Sequence, residues 1–272
     1  MNRKNLIIAG VIILSAVLLW FIIKKYTPWL IAGLVSPPEL ILKISDVSEG
    51  YPADNLNDTL LRYTGFTISY NEDNEQPAWV TYILTRSEVQ SGNEERSENF
   101  RPDKNISTES ATLKDYSGSG YDRGHMAPAA DMKWSPVAMS ESFLLSNMSP
   151  QEQGFNRGIW SRLEARVRYW AVKNDSILVI TGPVLKGINK FIGENNVGVP
   201  YYYFKVIADI SAPSYKVIAF LLQNQSSSSD IMKYAVTVDS VERITGYDFF
   251  PSMQDKAMKE RMEKNIYTRL WK

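Results

Sequence analysis

Cysteine is absent from the 272 residues of this chain, and histidine occurs only once, at position 125. The lack of cysteine excludes disulfide bonds, thiolate metal sites and cysteine nucleophiles. A net charge is also lacking, because 30 basic residues balance 30 acidic residues. A binding site for a polyanion must therefore be a local patch. Reactive groups must come from the histidine, carboxylates, amides, hydroxyls or basic side chains.

A long hydrophobic segment without charges lies at residues 6–23, with two basic residues close to each end. At about 1.5 Å per residue, a helix of this length reaches roughly the ~30 Å hydrocarbon thickness of a bilayer. A cleaved signal peptide is the alternative, although the run exceeds the usual ~7–15-residue core of such peptides. We predict a membrane anchor over residues 1–26 that spans the bilayer once, and its flanking charges lean slightly toward a cytoplasmic N-terminus.

The remaining chain divides into a tether and a folded domain. Residues 27–61 contain several prolines and many short polar side chains, which is typical of a linker. Runs rich in β-branched and aromatic residues predict strands at residues 65–70, 78–85, 142–147, 176–182, 201–210 and 215–224. Helical patterns occupy residues 155–173, 239–250 (with Asp239 as the cap) and 251–271. We predict an α+β domain over residues 62–272, with a largely antiparallel sheet.

The segment around the single histidine reads YDRGHMAP. Gly124 permits a close turn of the backbone, Arg123 offers a planar fork suited to phosphate, and Asp122 can orient a neighbouring group. His125 can accept a proton near neutral pH, because the ordinary pKa of an imidazole is about 6.5. A lone histidine is also common as a structural or surface residue. From these residues alone, both interpretations stay open.

The helix predicted at residues 155–173 has two kinds of side chain on adjoining faces. At 100° per residue, Asn156, Glu164 and Arg168 fall on one face. They border an apolar stripe of Ile159, Leu163, Val167 and Trp170 that can pack on a sheet. This arrangement predicts the wall of a site, whereas the alternative is a solvated face with a Glu164–Arg168 ion pair. The segment has five basic residues and one acidic residue, a weak signal for a polyanion.

Three motifs, in this order, resemble the DNA/RNA non-specific endonuclease family of ββα-metal nucleases, which includes endonuclease G-like proteins. They are DRGH followed by Pro128, LSNMSPQ, and FNRGIWSRLE. The similarity extends from about residue 65 to the C-terminal helix and is densest over residues 99–170. It implies a ββα-metal fold, in which helices flank a largely antiparallel central sheet.

The resemblance implies a metal site and a general base. His125 matches the family's general base, and Asn156 matches the direct protein ligand to Mg²⁺, for which Mn²⁺ is a substitute. Glu164 matches the carboxylate that holds metal-bound water. Asn147 matches the active-site asparagine of the second motif.

The resemblance also implies three substrate-binding arginines. Arg123 matches a phosphate-contacting residue, Arg168 matches the residue that stabilises the transition state, and we assign Arg96 as the upstream arginine. The implied activity is Mg²⁺-dependent, sequence-non-specific hydrolysis of DNA and RNA, which leaves 5′-phosphate and 3′-hydroxyl ends. A homodimer is left open.

Two other functions are alternatives. The chain could be a nucleic-acid-binding protein that has lost activity, or a phosphodiesterase or nucleotide pyrophosphatase on the same scaffold. A non-specific nuclease would threaten nucleic acid in the cytoplasm. We therefore expect the domain to lie outside the cytoplasm, in the periplasm or at the cell surface.

Overall fold

The structure, a computed structural model, describes residues 58–209, 215–253 and 255–272, which contain eleven strands. Their bounds are β1 (Thr59–Arg62), β2 (Thr67–Asn71), β3 (Gln76–Thr85), β4 (Tyr121–His125), β5 (Met148–Glu152), β6 (Ser176–Pro183), β7 (Phe191–Ile192), β8 (Val197–Gly198), β9 (Tyr202–Asp209), β10 (Lys216–Gln223) and β11 (Ala235–Val236). Seven of them form one sheet in the order β1-β2-β3-β6-β9-β10-β11, in which all neighbours are antiparallel. The pairs β4–β5 and β7–β8 form two small sheets.

The helices are mostly short. They are α1 (Arg86–Ser91), α2 (Leu113–Tyr116), α3 (Pro136–Glu141), α4 (Ser161–Lys173), α5 (Val238–Thr245) and α6 (Lys256–Lys264). Single 3₁₀ turns lie at Ala129–Asp131, Leu145–Asn147, Ile231–Tyr234 and Thr268–Trp271, and a wide π-helical turn lies at Phe155–Trp160.

Both faces of the large sheet are covered. On β6, Val179 faces the cluster of apolar residues that includes Leu163 and Val167 of α4. Its neighbour Ile180 faces a second cluster, which includes Val238 of α5. Side chains alternate between the two faces of a strand, so central strands covered on both sides are apolar at almost every position. The fold therefore has a helix layer on each side of the sheet, and α4 lies on the side of the β4–β5 hairpin.

Local sequence explains where the helices begin and end. The Thr237 hydroxyl accepts a hydrogen bond from the Ser240 amide and caps α5, as threonine often does at this position. The helix stops at Gly246, whose φ of +87° is left-handed and therefore suits glycine. Asp239, which the sequence predicts as the cap, lies in the first turn instead.

The predicted elements agree with the structure except at four places. The helix predicted at residues 239–250 ends at Thr245, and the helix predicted at residues 155–173 is interrupted at Gly158 and regular only from Ser161. Five of the six predicted strands are present within two residues of their expected bounds. The strand predicted at residues 142–147 is wrong, because these residues form the end of a helical turn and a 3₁₀ turn before β5 begins at Met148. This run is apolar because it is buried, and burial without a clear period does not distinguish a strand from a turn. The helix predicted at residues 251–271 is shorter, since α6 ends at Lys264.

The predicted membrane anchor (residues 1–26) and almost all of the predicted tether (27–61) lie outside the described residues. β1 begins at Thr59, so the last residues assigned to the tether belong to the sheet. Among the helices of residues 58–209, 215–253 and 255–272, none is long and apolar enough to cross a bilayer.

Candidate active site

A hairpin followed by a helix forms the frame of the site. β4 and β5 pair antiparallel, with His125 at the end of β4 opposite Met148 at the start of β5. β5 leads through the turn Phe155–Trp160 into α4. Gly158, at φ −107° and ψ −105°, interrupts the helical backbone, so Asn156 precedes the helix and is not part of a regular face with Glu164.

Gly124 is required by the close packing of the hairpin. A Cβ atom at this position would lie 2.2 Å from Cδ and Oε1 of Gln151, which is fully buried. The backbone of the residue before His125 therefore lies directly on the side chain of the opposite strand. This contact explains the glycine of the DRGH motif in physical terms.

His125 is enclosed by aromatic rings, with 8% of its surface exposed. The edges of Phe143 and Phe100 lie against it, at ring-centroid distances of 5.0 and 5.6 Å. Its Nε2 atom has no hydrogen-bond partner among the described residues. Burial, together with the nearby charges of Arg96 and Arg123, lowers the pKa of His125 to about 3. The imidazole is therefore neutral at physiological pH, the form in which one ring nitrogen has a free lone pair.

Asn147 holds the segment that follows His125. Its Oδ1 accepts a hydrogen bond from the Ala127 amide at 2.9 Å, and its Nδ2 donates to the carbonyls of Ala127 and Ser142 at 2.9 and 2.8 Å. The side chain is fully buried. The structure thus brings Asn147 to the site as a residue that positions the backbone next to the histidine.

Asn156 is oriented by the carboxylate of the DRGH motif. Its Nδ2 donates a hydrogen bond to Oδ2 of Asp122 at 2.9 Å, while Arg157 donates to both carboxylate oxygens at 2.7 and 2.8 Å. Partial burial disfavours the charge on Asp122, but the hydrogen bonds from Arg157 and Asn156 keep the pKa of Asp122 below its ordinary value. Because the amide nitrogen of Asn156 donates to Asp122, the amide oxygen of Asn156 is the atom available to bind a cation.

Arg168 is part of a buried ionic group at the side of α4. It donates to Oδ1 of Asp131 at 2.8 Å, and the Tyr82 hydroxyl donates to the other oxygen at 2.8 Å. Asp131 has a fully buried carboxylate. The alternative of a solvated pair between Glu164 and Arg168 is therefore not what the structure has, because Arg168 pairs with a residue from the loop after His125.

Glu164 is half-buried on α4. Burial is the main reason that the pKa of Glu164 is raised, and the charge of Asp131 adds to it. The positive charges of Lys205, Arg168 and Arg96 act in the opposite direction. A carboxylate held between cations and a low-polarity environment is suited to bind water or a metal-bound water through its oxygens.

Two arginines lie on the rings that enclose the histidine. The guanidinium of Arg123 is 4.2 Å from the centroid of Phe100, and that of Arg96 is 4.8 Å from Phe143. Arg96 also pairs with Glu98 and interacts electrostatically with both His125 and Glu164. Arg96 thus lies on a ring that shields His125 and lines the cleft beside it, and its role as the upstream arginine stays a prediction.

A cleft of about 760 Å³ opens beside these residues. It is lined by Arg96, Glu98, Phe100, Leu113, Lys114, Tyr116, Ser117, Tyr121, Asp122, Arg123, Asn156 and Arg157. Four basic side chains and two carboxylates face this space, so a phosphate would meet several donors there. Arg96, Arg123 and Asn156 line the cleft together. His125 does not line it but lies against the lining residue Phe100, and Glu164 and Arg168 are not among the lining residues.

Several residues of the site were not predicted. Phe100 and Phe143 shield His125, Asp131 pairs with Arg168, and the charge of Lys205 acts on Glu164. Their only sequence signal is that Phe143 and Asp131 are near the motifs. The basic patch predicted on the helix is not one continuous positive surface, because Arg157 and Arg168 each pair with a carboxylate.

Comparisons with known proteins agree with this geometry. A model of the family described as "DNA/RNA non-specific endonuclease" matches residues 47–256. The mitochondrial nuclease EXOG of Homo sapiens is 34% identical over 208 residues, which are 70% of this chain and 56% of that protein. Nuclease C1 of Cunninghamella echinulata is 35% identical over 209 residues, or 71% of this chain and 83% of its own.

A solved structure, a crystal structure of the EndoG/EndoGI complex, superimposes with a TM-score of 0.71 and 33% identity, covering 81% of this chain and 95% of that one. The present chain spans a little over half of the length of human EXOG. Most of the present chain matches the family model, including every motif of the site. The chain belongs to the DNA/RNA non-specific endonuclease family.

Proposed function

We propose that the protein is a metal-dependent endonuclease that hydrolyses phosphodiester bonds of DNA and RNA without sequence specificity. The observation that carries this proposal is that a neutral histidine and two arginines meet at the same aromatic rings. His125 Nε2 has no hydrogen-bond partner among the described residues, and Arg123 and Arg96 lie on the two phenylalanine rings that shield His125. Such a site combines a proton acceptor with fixed positive charge for a phosphate. The names of the relatives, which are nucleases, support the same activity.

The residues of the cleft fit a divalent cation of the Mg²⁺ type. Mg²⁺ prefers oxygen ligands and retains several waters, so one amide oxygen and nearby carboxylates suffice as protein contacts. Asn156 would provide the direct ligand, since Asp122 holds its nitrogen, and Glu164 would bind the ion's water. When bound, the ion neutralises negative charge on the phosphate and the leaving oxygen. Mn²⁺ would replace it.

The reaction follows from the groups in place. His125 Nε2 takes a proton from a water molecule, the water oxygen attacks phosphorus, and the bond to the 3′-oxygen breaks. The 3′-oxygen takes a proton from solvent water and leaves as a hydroxyl, His125 returns its proton to solvent, and the phosphate stays on the 5′-oxygen. Arg123, Arg96 and Arg168 balance the charge of the phosphate during the attack. Because these groups contact phosphate and not bases, cleavage is not sequence-specific.

The test is cleavage of supercoiled plasmid and of labelled RNA by the full-length protein with Mg²⁺, with Mn²⁺ or with EDTA. We expect nicking and RNA cleavage with either ion, no cleavage with EDTA, and 5′-phosphate and 3′-hydroxyl ends. Cleavage of bis-p-nitrophenyl phosphate without cleavage of polynucleotides would instead favour the phosphodiesterase alternative. Binding of nucleic acid without cleavage would favour the inactive binding protein.

We also propose that residues 6–23 anchor the protein in a membrane and that the nuclease domain lies outside the cytoplasm. The length and the lack of charge of this segment support the anchor. Protease treatment of intact spheroplasts is the test. We expect the domain to be digested from outside, and protection until the membrane is broken would reverse the orientation.

A further inference from the structure

A lysine is buried in the middle of the large sheet, on the side of the candidate site. Lys205 lies in β9 between Tyr203 and Ile207, both of which face the apolar cluster that contains α4. Its side chain is 0% exposed. Because alternate residues of a strand share a face, the ammonium group of Lys205 points toward α4 as its neighbours do.

Among the described residues, this ammonium has one hydrogen bond and one aromatic contact. Lys205 pairs with Thr181 across the sheet, and its Nζ donates to Oγ1 of Thr181 at 3.0 Å. The Nζ also lies 4.6 Å from the ring centroid of Trp160, the residue directly before α4. One neutral hydrogen bond and one aromatic face leave most of the cost of burying a charge uncompensated.

The balancing charge lies one helical turn beyond Trp160. Glu164 follows Trp160 by four residues, so both side chains lie on neighbouring parts of the same helix surface. The charged groups that act on Lys205 are Glu164, Asp131 and Arg168. Asp131 is already paired with Arg168 and bonded by Tyr82. Glu164 is therefore the acid available to Lys205.

We propose that Lys205 is a positioning residue of the candidate active site, whose buried charge holds the Glu164 carboxylate in place and thereby organises the metal's bound water. This inference rests on the proposed function for its last step only. Burial lowers the pKa of Lys205 and raises that of Glu164, and each charge opposes the shift of the other. Each residue therefore favours the charged form of its partner.

The pairing has a consequence that does not need metal. If Glu164 is neutralised alone, Lys205 remains as an unbalanced buried charge. If Lys205 is neutralised alone, the half-buried Glu164 carboxylate loses a cation that favours its charged form. In urea unfolding of the full-length protein without metal, we expect Lys205→Met and Glu164→Gln each to lower the midpoint. The midpoint of the double variant should be higher than the value expected if the two single losses were added. Strictly additive losses would contradict the pairing.

The second readout is binding of Mn²⁺, measured by calorimetry. Lys205→Met should weaken Mn²⁺ binding about 10- to 100-fold, as loss of an outer partner of a metal site typically does. In a Glu164→Gln background the same change should have no further effect, because its target is already absent. A loss of equal size in both backgrounds would overturn the proposal and indicate a general structural defect.

Lys216 offers a matched control. It is a lysine of the neighbouring strand β10, and its Nζ lies 5.1 Å from the ring of Trp271 and donates to Asn174. Lys216→Met removes a cation from a similar ring, together with its ion pair to Asp209 at 3.4 Å, and we expect it to leave Mn²⁺ binding unchanged. If Lys205→Met does not fold, Lys205→Gln, which retains a donor for Thr181, provides the same comparison.

Failure of this proposal can be told from failure of the nuclease assignment. If the unfolding midpoints are coupled but the unmodified protein binds Mn²⁺ without cleaving nucleic acid, the nuclease assignment is overturned and the Lys205–Glu164 interaction is kept. Normal cleavage with additive midpoints and unchanged Mn²⁺ affinity in Lys205→Met would do the reverse.

Discussion

Asp122 in the first strand of the ββα unit and Asn156 in the turn between its second strand and its helix meet through a hydrogen bond of 2.9 Å from the amide nitrogen to the carboxylate. The bond fixes which atom of the amide faces the cleft. The aspartate of the DRGH motif thereby orients the proposed metal ligand, although it is 34 positions away in the sequence.

Removal of the Asp122 carboxylate should therefore weaken metal binding. For Asp122→Ala we expect a 10- to 100-fold loss of Mg²⁺ affinity, the usual effect of losing a partner that orients a ligand. The Mg²⁺ concentration for half-maximal cleavage measures it. Arg157→Ala is the matched control, since it removes the other partner of Asp122 and leaves the bond to Asn156. Equal Mg²⁺ requirements for Asp122→Ala and the unmodified protein would contradict this role.

The single histidine provides a direct spectroscopic test of its surroundings. Burial and two arginines lower the pKa of His125 to about 3. Its Hε1 proton resonance should therefore not move between pH 8 and pH 5, whereas a free imidazole titrates within this range, near pH 6.5. No other histidine in the chain overlaps the signal. A midpoint near the free value in the metal-free protein would show that the ring is solvated.

The same shift makes stability depend on pH. Between about pH 6.5 and about pH 3, the unfolded chain binds a proton at His125 and the folded chain does not. The free energy of unfolding therefore rises with pH in this window. Urea midpoints at pH 7 and pH 5 check this. The difference between the two midpoints should be larger for the unmodified protein than for His125→Asn, and an identical difference would argue against it.

Arg168 should be important for stability as well as for catalysis. Its removal leaves the buried Asp131 carboxylate with only the Tyr82 hydroxyl, and breaking a buried ion pair on one side typically costs about 3–5 kcal/mol. We expect this loss in the unfolding free energy of Arg168→Ala. Arg166→Ala, an exposed arginine of the same helix, should change it by less than about 0.5 kcal/mol. Equal effects of the two variants would exclude the proposed role of the ion pair.

Gly124 provides a test of the hairpin packing. A Cβ atom there would lie 2.2 Å from the Gln151 side chain, so Gly124→Ala should destabilise the protein by about 1–3 kcal/mol, as overpacking does. The loss should be smaller in a Gln151→Ala background, where the clash is absent. Thermal or urea unfolding of the four proteins measures both effects. The idea fails if the two substitutions are additive.

The sequence predicts the parts of the fold that have a clear period and a local boundary. Five of the seven strands of the large sheet and the apolar stripe of α4 are such parts, because alternation and helical spacing report burial directly. The two short edge strands, β1 and β11, are not predicted. The segment at residues 142–147 is not, because Phe143 and Leu145 are buried as packing residues of turns beside His125. Its apolar run has the composition of a strand but not the contacts of one.

The residues of the site also fall into a group that the sequence predicts and a group that it does not. Arg123, His125, Asn156 and Glu164 are within motifs, so their association is predictable from the order of the motifs. The residues that tune them are remote in sequence. Lys205 belongs to a strand that otherwise follows an apolar pattern, and only the pairing of β9 with β6 and the packing of α4 bring it near Glu164. The break at Gly158, which moves Asn156 off the helix face, is also a tertiary feature.

The central claim is that His125 is the base of a metal-dependent nuclease. The most direct test is the cleavage rate of a labelled DNA oligonucleotide by His125→Ala under single-turnover conditions with saturating Mg²⁺, alongside a circular dichroism spectrum. We expect an unchanged spectrum and a rate lower by about 10²- to 10⁴-fold, the usual contribution of a general base, with partial recovery in imidazole. A folded variant that cleaves at a near-native rate would contradict this account.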